Sequence, residues 1–465
     1  MPKRLSEKIG YGFGDMSSSM FWKIFSYYLP FFYSNIFGIS LIDAGILMLI
    51  TRIWDAVSDP MMGIISDRTK TRWGKYRPYL LWIAPFFSIA GILLFTTPDW
   101  DYGAKLTWAY VTYILMMTVY TAINVPYGAM LGVMTDDSNE KTVFSSFRMF
   151  FAYAGSFVSL FCWEPLTKYF GGYNTAEGWH GAMMAVAAAC FVMFILCFSL
   201  TREHLKTTST VSVGSDISKL LKNKPWWLLI GAALCFNLFN TVRGSSVAYF
   251  FADIIPGDAT LLFFATQVAF YAGLFLGIGE VSNMIGVSIT VPIAGRIGKK
   301  STFIMVNALL FVLSCCFYFI PCTPTGYWIM LVFQVFISIL TGIMSPLVWS
   351  MYADVSDYSE LEYKTASTGL IFSSSSMAQK FGSAIGGSSV VWLLGSFGYV
   401  TDHELLASGA AVQSADALGC LRALMSFIPA AVALLAMIVV YFYPLTTERI
   451  KDINEKLKVQ RGTKE

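Results

Sequence analysis

The chain has 465 residues, of which 56% are hydrophobic, 16% aromatic and only 13% charged. Soluble domains carry about a quarter charged residues, so a water-soluble globule is excluded and an all-α integral membrane protein is expected. The net charge of +3, with no basic aromatic patch, gives no hold for nucleic acid.

A spanning helix needs about 20 mostly apolar residues. Twelve stretches qualify, and they are predicted at 9–37, 41–64, 79–98, 105–133, 143–167, 179–200, 225–252, 262–294, 301–321, 326–352, 366–396 and 421–444. The first opens with KIGYGFGD and lacks a small-residue cleavage site, so it is not read as a cleaved signal peptide. The second carries RIWDAVSDPMMG, with Arg52, Asp55 and Asp59 inside an apolar run. A basic turn, TKTRWGKYRP, follows it. The fourth holds TVYTAINVPYGAML, and the fifth SSFRMFFAYAG with Arg148. A polar stretch at 201–224 then divides the spans six and six. Its end, SDISKLLKNK, suits a short amphipathic surface helix. The seventh span carries Arg243 and the eighth Glu280. A second basic turn, AGRIGKKSTF, follows the eighth at the point where TKTRWGKYRP follows the second. The tenth ends in SMYADVSDYSELEYK, and the eleventh reads STGLIFSSSSMAQKFGSAIGGSS with Ser376 and Lys380 four residues apart. The tail, 446–465, is charged and reads as a solvated or surface-lying helix.

Basic residues fix the orientation. With both termini in the cytoplasm, only Lys105, Lys168 and Arg422 of the 32 Lys and Arg fall outside, and Lys23, Arg52, Arg148, Arg243 and Lys380 lie within spans. The expected organisation is a six-helix bundle over 1–200, a cytoplasmic loop over 201–224, a second six-helix bundle over 225–445 and a cytoplasmic tail. Paired turns in paired halves are the pattern of a transporter whose site lies near the midplane between two repeats. Cys190, Cys197, Cys235, Cys315 and Cys316 sit in apolar runs and read as small core residues. Cys322 and Cys420 fall near external ends, where a disulfide is open but unsupported. His180, His204 and His403 have no metal-ligand spacing.

Each charge at a bilayer centre costs roughly 2.5–3.5 kcal/mol on insertion scales. Arg52, Asp55 and Asp59 must therefore face protein. Asp55 and Asp59 are four apart, about 40° around a helix, so they share a face. Two such carboxylates suit a hard cation, Na⁺ or Li⁺, which takes oxygen ligands, or a shared proton. The alternative is a buried ion-pair lattice in which Arg52, Arg148 and Lys380 neutralise the acids. Tyr120 and Asn124 share a face of the fourth span, with Thr121 in the same turn. Asp354, Asp357 and Glu360 read as gate ion pairs with Arg296 or the basic turn after span two, or else as a solvated helix end. Lys23 is read as snorkelling to the interface. Trp22, Trp54, Tyr27, Tyr120, Tyr127 and Trp349 offer flat faces for a sugar ring, although aromatics are frequent enough here that each alone fits core or belt.

YGFGD, RIWDAVSDPMMG with TRWGKYRP, YTAINVPYGAM, FRMF, and YADVSDYSE with QKFGSAIGG resemble the glycoside–pentoside–hexuronide:cation symporters, the relatives of melibiose permease within the major facilitator superfamily. The resemblance covers about residues 8–445. It implies the major facilitator fold, with twelve transmembrane helices in two pseudo-symmetric six-helix bundles. It also implies alternating access with Na⁺, Li⁺ or H⁺ as the coupling cation, and no other cofactor. Matched residue by residue, it gives Asp55, Asp59, Thr121 and Lys380 as the cation group and Arg148 as a sugar contact. Asn124 and Gly128 stand where melibiose permease has an acid and a Trp, and Ser18 and Ser19 where it has a Lys–Asp pair. Those departures point away from galactosides and toward the xyloside- and glucuronide-type branch, in which Arg243 has a counterpart. The expected sugar set is Asn124, Arg148, Tyr120, Ser19, Ser376 and Arg243. The expected protein is thus a monomeric symporter of a pentoside or hexuronide in a bacterial-type inner membrane, touching sugar and lipid but no nucleic acid. A facilitator or sensor that does not accumulate solute is the rival. A lipid or drug carrier would want fewer buried hydrogen-bonding groups, and a membrane enzyme lacks a nucleophile–base pair or metal spacing.

Overall fold

In the computed structural model, the described residues are 4–135, 138–204, 220–253, 260–263, 266–269, 271–363, 368–401 and 412–462. They are almost wholly helical. The helices are α1 (Leu5–Phe31), α2 (Leu41–Arg68), α3 (Pro78–Leu94), α4 (Tyr102–Met134), α5 (Ser138–Phe170) and α6 (Ala176–Leu200). They continue as α7 (Lys224–Asp253), α8 (Tyr271–Ile297), α9 (Lys299–Phe317), α10 (Pro324–Tyr363) and α11 (Thr368–Ser396). The last span breaks at Ser426 into α12 (Ala415–Met425) and α13 (Phe427–Tyr441), and the tail forms α14 (Thr447–Gly462). Eight of the described spans are long and apolar enough to cross a membrane, and α2 and α3 carry shorter apolar runs. The polar content of α1 and α11 keeps those two below the same measure. Much of the predicted surface helix in the central loop falls on 205–219, outside the described residues.

Local chemistry sets the helix ends. Ser40 caps α2 by accepting from the Asp43 amide at 3.0 Å, and Asp101 and Thr175 cap α4 and α6 in the same way. Pro30 removes a donor near the end of α1. The chain passes into a π-helical turn, Phe32–Phe37, which Gly38 closes with φ +82°. The eighth helix begins at Tyr271 rather than near 262, because Thr260–Phe263 and Thr266–Ala269 pair as an antiparallel hairpin, β1–β2.

The chain divides into two compact units. The first holds residues 1–209 with 247–281 and 387–418. Its centre is aromatic: Trp163 and Trp179 meet edge to face at 5.4 Å, and Phe31, Phe32 and Phe95 close around them. Here α1 lies tightly on α4, α5 and α6, which explains the glycines of YGFG. A Cβ on Gly10 would lie 2.5 Å from Leu200, one on Gly12 2.5 Å from Phe151, and one on Gly14 2.4 Å from Tyr127. Small residues that let backbones approach are the usual basis of helix packing in lipid. The second unit holds residues 210–246, 282–386 and 419–465. Its core runs through Trp226, Phe239, Phe303, Met344, Tyr352 and Tyr443, and Ile453 and Leu457 tie α14 to it. Gly382 and Gly386 of α11 sit against Asn237 and Thr241 of α7, the packing role expected of GSAIGG.

The two basic turns repeat one device. Gly74 has φ +116°, and a Cβ there would lie 2.4 Å from the Glu203 carboxyl carbon. That carboxylate accepts from the amides of Lys75, Tyr76 and Arg77 at 2.8, 2.6 and 2.7 Å, just ahead of α3. In the second unit Gly298 has φ +84°, and a Cβ there would lie 2.2 Å from the Thr447 hydroxyl. Each turn glycine is thus approached by a residue shortly after the last span of its own half.

Candidate functional site

The site in the first unit is built from α1, α2, α4, α5 and the first part of α8. Asp55 is 1% exposed, and Asp59, one turn on, is half-buried. The Thr121 hydroxyl of α4 donates to Asp59 Oδ1 at 2.8 Å. Trp54 Nε1 donates to the Thr118 hydroxyl at 2.7 Å, so two bonds fix the register of α2 against α4. The structure thereby joins Asp59 to Thr121. Lys380 is half-buried and Ser376 exposed; both belong to the second unit. Among the described residues no group of three or more His, Cys, Asp or Glu gathers. The oxygen donors on hand are carboxylates and a hydroxyl, which suit a hard cation or a proton.

The sugar candidates of the first half also converge. Arg148 Nε donates to Asp15 Oδ2 at 3.0 Å, and the guanidinium lies 5.4 Å from the Tyr127 ring centre. Tyr127 is buried, stacked on Tyr11 at 4.8 Å, and donates to the Tyr11 carbonyl at 2.7 Å. Its phenol is therefore taken up in packing. The Ser18 hydroxyl donates to Asn124 Oδ1 at 2.7 Å, and Asn124 Nδ2 donates to the Tyr120 carbonyl at 3.0 Å. Trp22 packs on Tyr120 at 5.2 Å. A Cβ on Gly128, one turn past Asn124, would meet nothing within 4 Å, so the space beside Asn124 is open.

Three sequence readings change. Lys23 does not snorkel: its Nζ lies 2.6 Å from Glu280 Oε1 and 3.3 Å from the Tyr27 hydroxyl. Arg243 is 4% exposed. Its guanidinium donates to Gln334 Oε1 at 3.1 Å and, through Nη1, to the Met425 carbonyl at 2.5 Å, and it lies over the Phe317 ring. The sequence offered Arg243 as a sugar contact, and these partners, all inside the second unit, hold its guanidinium. Asp354 takes Lys299 at 2.7 Å as its ion-pair partner, whereas Arg296 is exposed. Lys299 follows the turn glycine directly, a position the sequence marked only as part of a basic cluster. Asp357 is half-buried on the same helix. Cys322 and Cys420 are both free thiols.

The family model for "MFS/sugar transport protein" matches residues 10–447. The inner membrane symporter YicJ of Escherichia coli K12 is 32% identical over 97% of this chain and 95% of its own length. The isoprimeverose transporter of Lactiplantibacillus pentosus is 32% identical over 97% of this chain and 91% of its own. Among solved structures, the nucleoside transporter NupG superposes with a TM-score of 0.65 at 12% identity, over 96% of this chain and all of that one, a likeness of fold. With the Asp55–Asp59 helix and the WGKYRP turn in place, the chain belongs to the MFS/sugar transport family, as a glycoside–pentoside–hexuronide:cation symporter of the major facilitator superfamily.

Proposed function

We propose that the protein couples inward movement of Na⁺, Li⁺ or H⁺ to uptake of a neutral glycoside, a pentoside before a hexuronide. The Thr121–Asp59 bond beside buried Asp55 carries the reading. It sets a hydroxyl and two carboxylates on neighbouring faces of α2 and α4, where a desolvated cation finds oxygens. One charge moving inward yields about 2.3 kcal/mol per 100 mV, or roughly fifty-fold accumulation per coupled cation. Lys380 is assigned to the charge balance of the carboxylates in the empty carrier. The neutral substrate follows from Arg148 and Arg243. A hexuronide wants an open cation, but Arg148 already holds Asp15 and Arg243 is enclosed by Gln334 and Met425. Asn124, Ser19, Tyr120 and the Asp15–Arg148 pair then offer hydrogen bonds to hydroxyls, and Trp22 a stacking face. The Lys299–Asp354 pair, with Asp357 beside it, is assigned to the gate. The protein is placed in a bacterial-type inner membrane as a monomer with both termini cytoplasmic, from the distribution of Lys and Arg.

The test is counterflow in proteoliposomes with matched xylosides, glucosides and glucuronides, each in Na⁺, Li⁺ or protons alone. Cation-dependent exchange of a neutral glycoside is expected. Exchange indifferent to every cation would refute coupling and leave a facilitator.

A further inference from the structure

Along α1, the partly exposed positions Asp15, Ser19, Trp22, Lys23 and Tyr27 recur at helical spacing, while Ser17, Ser18, Met20, Phe21, Ile24, Phe25 and Ser26 between them are buried. Two ion pairs stand on this stripe, Asp15–Arg148 and Lys23–Glu280. Their α1 members are eight residues apart, about 12 Å along the axis, with Ser19 halfway. A charged stripe inside a span faces protein or a water-filled space, not lipid. Trp22, in contact with Tyr120, ties the stripe to the open side of Asn124 and Gly128. The Lys23 side chain is 22% exposed and that of Glu280 4%. Lys23 spends one N–H on Glu280 and directs one at Tyr27, and among the described residues the third is untaken. Glu280 Oε2 is likewise buried with no donor among the described residues.

Resting on the sugar reading above, we propose that Glu280 is a specificity-determining residue: by neutralising Lys23 it makes the far end of the sugar site a polar, uncharged hydrogen-bonding station that excludes anionic sugars. A substrate bridging the stripe meets two cations, each already matched by an acid. Hydroxyls of a neutral glycoside bond such pairs without breaking them. A glucuronide carboxylate would have to displace Glu280 or Asp15, or lie beside them as a like charge, which costs affinity.

The test uses full-length protein in nanodiscs and calorimetric binding of two probes with one aglycone, an aryl glucoside and an aryl glucuronide. Wild type is expected to prefer the glucoside. Glu280→Gln leaves Lys23 a cation open to the ligand, so the glucuronide-to-glucoside affinity ratio should rise by about tenfold or more. The double variant Lys23→Gln/Glu280→Gln removes both charges and should keep the glucoside preference. If Glu280→Gln does not fold, Glu280→Asp, which withdraws the carboxylate by one methylene, should raise the ratio in the same direction. An unchanged ratio in the folded single variants would overturn the proposal. Failure of wild type to bind either probe would instead overturn the sugar reading beneath it.

Discussion

Asp55 and Asp59 are legible in the sequence because a carboxylate inside an apolar run has only functional or paired explanations, and their four-residue spacing puts them on one face whatever the tertiary structure. Their partner is not derivable that way: nothing in the fourth span says which hydroxyl meets Asp59, and Thr121 was reached through the resemblance. The long-range ion pairs were harder still. Lys23 and Glu280 are 257 residues apart, and Asp15 and Arg148 133. A long-range pairing leaves no periodic trace, so Lys23 alone looked like a residue reaching for the interface, and Arg148 and Arg243 like sugar contacts. Two outcomes follow at this scale. Thr121→Val, which keeps the shape and deletes the donor to Asp59, should weaken cation affinity by about 1–2 kcal/mol, while Thr121→Ser stays near wild type. Cation titration monitored by intrinsic tryptophan fluorescence measures both, and equal affinities would remove Thr121 from the site. Asn124→Asp keeps the acceptor for Ser18 but sets a carboxylate oxygen against the Tyr120 carbonyl. Glycoside affinity should fall at neutral pH and recover partly at acid pH, where the carboxyl regains a donor. A pH-independent loss would argue against that contact.

Element positions were well marked by hydropathy, and element ends were not. Hydropathy measures how much chain a bilayer accepts, and a helix continues past that limit as long as its backbone can bond i to i−4. Thus α10 runs through ADVSDYSELEY to Tyr363, eleven residues beyond the apolar run predicted to end at 352, and α2 runs to Arg68. The eighth span was set too early because the largely apolar residues 260–263 and 266–269 pair as strands. The turns following α2 and α8 yield the sharpest tests. Gly74→Ala and Gly298→Ala each put a Cβ where φ is positive and another side chain already lies. Each should cost about 1–3 kcal/mol, read as a lower melting temperature of detergent-solubilised protein. Ala substitutions at Gly63 and Gly128, where a Cβ meets nothing within 4 Å, should cost far less. Equal melting temperatures across the four would refute the turn geometry. At the second turn Lys299→Ala strands the buried Asp354, whereas Arg296→Ala removes an exposed charge. Transport should suffer markedly in the first and little in the second.

The whole molecule was legible as a repeat. A glycine and basic residues recur after the second and eighth spans, and the structure gives both turns the same job of receiving a residue from beyond the last span of their own half. A hydrogen-bonded carboxylate does so in one half and a threonine in the other, so only the glycine and the basic residues survive as sequence signal. Function at this scale is linkage: a symporter accumulates solute only if cation and sugar favour moving together. In the proposed function Asp59 supplies the cation side of that linkage and the α1–α4–α5 groups the sugar side, and the two share α4 through Thr121 and Asn124, three residues apart. Removing the Asp59 charge should therefore uncouple transport without abolishing sugar binding. The decisive measurement is uptake of a labelled neutral glycoside into proteoliposomes under an imposed inward cation gradient, for wild type and Asp59→Asn side by side. Wild type should overshoot the external concentration, and Asp59→Asn should exchange the sugar yet never exceed equilibrium. Accumulation by Asp59→Asn to the wild-type level would contradict the assignment of Asp59 as the coupling carboxylate.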